Sequence, residues 1–196
     1  MIANKEEERY FNLGAAKSEY ETITQPIFDT LPYPKAGGFL RFFQFPIGAG
    51  NPIKTWAETN MHMACQLPNA TAFVVQSIRL KLLLDQESRA DERRFYSQGQ
   101  VSFQIGAKSY FQGVPGELSP QKDPEITITF DLSEPDQVRV TAGTGEEKAQ
   151  GLVLAPNNLL LIPHQYFCLV CDQLPKLRTK ARLAAILYGN LMRQVC

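Results

Sequence analysis

Cys168-Leu169-Val170-Cys171 has the spacing that redox pairs and zinc knuckles use, so the search for chemistry starts there. Redox pairs set this motif at a helix start, and zinc knuckles set it in a tight turn. Here it lies in the apolar run Tyr166-Phe167-Cys168-Leu169-Val170-Cys171, which reads as a strand. On a strand an odd offset sends the two side chains to opposite faces. With no second Cys/His pair nearby, neither a metal nor a redox role is expected of it. His62 and His164 are the only histidines. Metal centres on β-barrels of the cupin kind take several histidines and a carboxylate, which this chain does not supply. A set of two histidines with Glu58 is formally available, but no spacing links them. Cys65, Cys168, Cys171 and Cys196 are expected to be free thiols in apolar surroundings.

Other chemistries leave equally little trace. A serine nucleophile needs a positioned base, and no Gly-x-Ser-x-Gly elbow occurs. Gly143-Thr144-Gly145 lacks the rest of any phosphate-binding loop and reads as a turn. Glu58, Asp131 and Asp172 are candidate paired carboxylates only by default, since glycosidase acids need not be near in sequence. No catalytic, cofactor-binding or metal residue is therefore assigned. The expectation is a non-enzyme with no cofactor and no small-molecule substrate.

The elements available to position anything are strands. Ile78, Leu80 and Leu82 share one face of a long segment from Phe73 to Leu82, with Arg79 and Lys81 on the other. Val101-Ser102-Phe103-Gln104-Ile105 alternates in the same way. So does Glu125 to Leu132, where Ile126, Ile128, Phe130 and Leu132 are expected to face inward. Tyr20 to Gln25 forms a further strand, ended by Pro26. Phe39 to Phe45 forms another, in which Phe39, Phe43 and Phe45 share a parity and Phe42 lies opposite. Val138 to Thr141 and Leu152 to Leu154 flank Gly143 to Glu146 and suggest a hairpin. Leu159 to Ile162 and Tyr166 to Cys171 are short buried runs. Asp85 to Arg94 reads as a solvated loop or short helix, and Gly113 opens a long loop running to Pro124. From Leu177 to Tyr188 helix propensity competes evenly with a final strand. Regularly spaced strands with Gly/Pro turns and unequal loops suggest an all-β fold, a single eight-stranded jelly-roll sandwich over 17–196. Residues 1–16 lack strand patterning and read as an N-terminal arm.

Composition fits one domain: 196 residues, 44% hydrophobic and 20% charged, enough to bury a core without disulfide or metal. Lys+Arg and Asp+Glu number 20 each, which argues against a free-standing nucleic-acid binder and leaves no net self-repulsion to oppose association. Lys176, Arg178, Lys180, Arg182 and Arg193 nonetheless cluster near the end, facing solvent or, alternatively, a genome or internal membrane. The first residues contain no apolar signal core, and no apolar run is long enough for a membrane helix, so synthesis in a cytoplasm is expected.

Two stretches carry a resemblance. Lys54-Thr55-Trp56-Ala57-Glu58-Thr59-Asn60-Met61, then Leu67-Pro68 and Phe73-Val74-Val75-Gln76-Ser77-Ile78, form the first. Ile162-Pro163, Phe167, Leu174-Pro175 and Leu187-Tyr188-Gly189-Asn190-Leu191-Met192-Arg193 form the second. The chain resembles jelly-roll major capsid proteins of tailless icosahedral bacterial viruses, over about Lys54–Ile78 and Leu161–Val195. The resemblance implies a closing C-terminal strand, no catalytic residue, and a virion protein that binds copies of itself and other capsid proteins. Many such subunits carry two jelly rolls, whereas this chain has room for one. The alternative from another functional class is a carbohydrate- or receptor-binding module of a phage tail or spike, using exposed aromatics such as Trp56 and Tyr96.

Overall fold

A computed structural model describes residues 20–118, 126–130, 138–142, 152–153 and 159–194. The chain is mostly β, with two antiparallel sheets in a sandwich-like arrangement. Their strands are β1 (Tyr20–Thr24), β2 (Ile27–Pro32), β3 (Gly38–Arg41), β4 (Thr71–Leu84), β5 (Gln100–Ile105), β6 (Lys108–Gly113), β9 (Leu152–Val153), β10 (Leu159–Leu161), β11 (Phe167–Leu174) and β12 (Ala181–Gln194). A separate two-stranded sheet pairs β7 (Ile126–Phe130) with β8 (Val138–Ala142).

The first sheet is built on β4 and β12, each 14 residues long and paired antiparallel from Thr71/Arg193 to Leu84/Ala181. Each has two short neighbours laid end to end on its other side. On β12 these are β1, opposite Asn190–Gln194, and β2, opposite Arg182–Leu187. On β4 they are β10, opposite Phe73–Val75, and β9, opposite Ser77 and Ile78. The interruptions share one level. Gln25-Pro26 divides β1 from β2 beside the bulge at Tyr188/Gly189, and that bulge faces Gln76, beyond which β9 and β10 part. Gly189 is required there, because a Cβ at this position would lie 1.8 Å from the Val74 carbonyl oxygen.

The second sheet has the order β3-β11-β5-β6. Between the sheets Phe73, Ile78, Leu80, Leu183 and Leu187 meet Val101, Phe103, Phe167 and Leu169 in one buried cluster. Burying side chains of this size contributes about 1.5–3 kcal/mol each, the main favourable term of the fold. The alternation at Ile78–Leu82 and Val101–Ile105 therefore marks core faces.

The structure decides between open alternatives and corrects several expectations. The Asp85–Arg94 stretch yields helix α1 (Arg89–Ser97), whose Ser88 side chain caps it by accepting from the Asp91 amide at 3.3 Å. Its Phe95 is fully buried and meets Tyr33 edge-on at 5.9 Å. The strand expected to reach Phe45 stops at Arg41. Phe43 then takes φ 67°, so consecutive Phe42 and Phe43 are both buried while Phe39 and Phe45 are exposed. Ile27–Pro32 and Lys108–Gly113 are strands that the residue pattern did not reveal. The long loop after Gly113 contains a 3-10 turn at Pro115–Leu118. The hairpin expected between 138–141 and 152–154 is not found among the described residues: β8 pairs with β7, and β9 pairs with β4. Ala181–Gln194 is a strand, because β4 on one side and β1 with β2 on the other supply ladder partners that outweigh local helix propensity. The arm 1–16, the turn at 143–146 and the facing of Ile126, Ile128, Phe130 and Leu132 lie outside the described residues.

Candidate functional site

The most elaborated surface is the long excursion between β3 and β4, residues 42–70, which holds the first resemblance stretch. It is anchored through Asp29. That residue occupies the inward-facing parity of β2 between Ile27 and Leu31 and is fully buried. One carboxylate oxygen accepts the Phe43 amide at 2.7 Å, and the other accepts Lys54 Nζ at 2.8 Å. Lys54, also buried, donates to the Thr30 carbonyl as well. Burial pushes the Asp29 carboxyl above its ordinary value despite the opposing Lys54 ammonium.

The next turn seals the edge of β2. Thr30 N–H donates to the Glu58 carbonyl at 2.7 Å, and Phe28 N–H donates to Asn60 Oδ1 at 2.9 Å. Thr59 Oγ1 donates to the Phe28 carbonyl at 3.1 Å, and Asn60 Nδ2 to the Pro26 carbonyl at 2.8 Å. An open strand edge invites pairing with other chains, so Glu58-Thr59-Asn60 blocks that route on this side. Glu58 also accepts the Thr55 amide and pairs with Arg182 of β12. The Thr55 amide first, and then Arg182, hold its carboxyl below the ordinary range.

Among what the excursion presents outward are large apolar side chains. Ile53 is 67% exposed and Trp56 64% exposed, with Trp56 edge-on to the exposed His62 at 5.4 Å. Phe39, 52% exposed, lies under the Arg41 guanidinium. Tyr96, expected to be an exposed aromatic, instead packs against the core: it meets Phe95 edge-on, and its hydroxyl accepts the Leu82 amide.

The remaining candidates are dispersed. His164 is exposed and pairs with Asn69. Asp172 is exposed and accepts the neighbouring Gln173 amide, while Asp131 lies outside the described residues. The Cys-x-x-Cys pair divides between faces: Cys171 enters the main core, and Cys168 joins Cys65, Val170 and Tyr166 on the opposite side of the sheet. Among the described residues no three His, Cys, Asp or Glu side chains gather to hold a metal ion, and no helix is long and apolar enough to cross a membrane.

On the outer face of the first sheet Arg79 is buried with its guanidinium 4.9 Å from the centre of the Tyr188 ring. Its Nε and Nη2 have no hydrogen-bond partner among the described residues. The ring is a favourable neighbour for a desolvated cation, but it does not replace those two hydrogen bonds. Sequence reasoning missed both Arg79 and Asp29. The signal for Asp29 was a charge at an apolar parity, between Ile27 and Leu31.

Comparison with known protein families, with curated proteins and with solved structures gave no match.

Proposed function

We propose that this chain is a jelly-roll capsid subunit that assembles with copies of itself and other capsid proteins into a virion shell, after synthesis in the host cytoplasm. The observation that carries the reading is the pairing order. Counted with each end-to-end pair as one strand, the two sheets hold eight strands, which pair first with eighth, second with seventh, third with sixth and fourth with fifth. That nesting is what a single long hairpin gives when it is rolled into two facing sheets, the two Greek keys of a jelly roll. The β7–β8 hairpin is then an insertion between the fifth and sixth strands.

Jelly rolls serve viral capsids, lectins and cupins alike, so the choice among them rests on local residues. The capsid-like stretches occupy structural joints: Glu58-Thr59-Asn60 seals the β2 edge, and Gly189 forms the bulge in β12. Arg193 closes the second stretch by pairing with Glu21 of β1 at 2.7 Å. Arg182 and Arg193 are thus committed to acids across the sheet. Exposed Lys176, Arg178 and Lys180, before β12, are the basic surface offered to a genome or an internal membrane.

Size-exclusion chromatography and negative-stain microscopy of the purified chain test the reading. Closed rings or shells support it, and a strictly monomeric protein at high concentration would overturn it. The second reading, a carbohydrate-binding module of a tail or spike, is favoured by the exposed Trp56 ring. Saturable glycan-array binding by a monomer that is lost in Trp56→Ala would establish it instead.

A further inference from the structure

We propose that Cys65 and Cys168 form an oxidative cross-link site, at which a two-electron oxidant joins their sulfurs and fastens the end of the β3–β4 excursion to β11. This is independent of the capsid reading, and its failure would leave that reading untouched.

Cys65 closes the excursion in a left-handed conformation, φ 53°. Its amide donates to the Phe43 carbonyl at 2.7 Å, and its carbonyl accepts the Phe167 amide at 2.8 Å. Cys168 follows Phe167 along β11, so that backbone bond holds Cys65 beside it. A disulfide asks for Cα atoms roughly 4.4–6.8 Å apart. The side chains also meet. Cys65 and Cys168 lie in one small buried cluster with Val170 and Tyr166, apart from the main core. The Cys168 thiol donates to Gln104 Oε1 at 3.7 Å. Cys171, on the opposite face of the same strand, has no part in the cluster.

Access sets the order of events. Cys65 retains 5% exposure and Cys168 none, so an oxidant reaches Cys65 first. With hydrogen peroxide, the Cys65 thiolate attacks one peroxide oxygen, giving a sulfenic acid and, after protonation, one water. The Cys168 sulfur then displaces the sulfenic oxygen, which leaves as a second water. Two S–H bonds break, one S–S bond forms, and two electrons pass to the peroxide. Burial pushes the Cys65 thiol above its ordinary value, so the modification is slow.

The full-length chain is treated with hydrogen peroxide, quenched, alkylated in denaturant and mapped without reduction. The expected product has lost two hydrogens and yields a peptide linking residues 65 and 168. Its melting temperature rises by roughly 5–10 °C and returns on adding a dithiol reductant. Cys65→Ala and Cys168→Ala should each abolish the link and the rise, while Cys196→Ser and Cys171→Ala keep both. A Cys65 carried to sulfinic acid with no 65–168 peptide would overturn the proposal. So would a link that forms only when the oxidant is added to unfolded chain.

Discussion

Lys54 donates a 2.8 Å hydrogen bond to Asp29 where both side chains are buried. The pair joins an excursion residue to a core-facing strand position, and each charge is tolerable only because the other is present. Removing one partner strands a buried charge, at a cost of about 3–5 kcal/mol. Asp29→Ala and Lys54→Met should each lose about that much in denaturant melts, and the double variant should lose clearly less than the sum. Simple additivity would show that the two residues act separately.

Asp91 ties α1 to the turn before β12. One of its oxygens accepts the Thr179 amide at 3.0 Å, the Thr179 hydroxyl at 2.8 Å and the Arg178 amide at 3.0 Å. Those donors, the Thr179 amide first, hold its carboxyl below the ordinary 3.8. The folded chain therefore releases this proton more readily than the unfolded chain. The stabilisation is complete above pH 3.8 and is lost as pH falls through the lower folded value. Asp91→Asn should lower the melting temperature at neutral pH and flatten the acid limb of the stability profile. An acid limb identical to that of the unmodified chain would remove Asp91 from the account.

Gly189→Ala is expected to be among the most damaging single methyl additions, because it drives a Cβ against the Val74 carbonyl within the β4–β12 ladder. The loss should reach or exceed about 3 kcal/mol. Gly106→Ala is the contrasting control: Gly106 sits at positive φ, 59°, as Gly189 does not, and has nothing within 4 Å. It should cost only the backbone penalty of about 1–2 kcal/mol. Equal losses would mean that the close approach at Gly189 costs no more than a strained backbone alone.

Trp56→Ala removes an exposed ring whose described neighbour is the equally exposed His62. Monomer stability should change by no more than about 0.5 kcal/mol. The same change should weaken self-association in sedimentation velocity if the excursion lies between subunits. Unaltered assembly would place that contact elsewhere.

Reading the residues alone recovered elements whose pattern is local and missed those defined by distant partners. Val101–Ile105 and Ile78–Leu82 alternate because one face is core, and that is visible in sequence. Ile27–Pro32 lies between two prolines, and Lys108–Gly113 is an outer strand with mostly exposed side chains, so neither shows a strong period. The Phe39–Phe45 parity failed because the turn at Phe43 puts two consecutive rings inside, which no period of two allows. Helix formers at 181–188 were overruled by ladders to residues about 100 and 155 positions away, a long-range term that propensity omits. At the site, the Cys-x-x-Cys division between faces was legible from the strand offset. The joining of Asp29 to Lys54 was not, since only the folded excursion brings the two together.

The row of interruptions across the first sheet has a mechanical consequence. A β-sheet resists bending along its strands because each strand is a continuous covalent rod braced by its neighbours. Here the flanking rod beside β12 is cut between β1 and β2, and the central ladder slips register, at the level of Gln25, Gln76 and Tyr188. These residues border a depression of about 350 Å³. Compliance is therefore concentrated in one transverse crease. The half of the sheet carrying β2 and β9 can tilt against the half carrying β1 and β10 while each keeps its own hydrogen bonds.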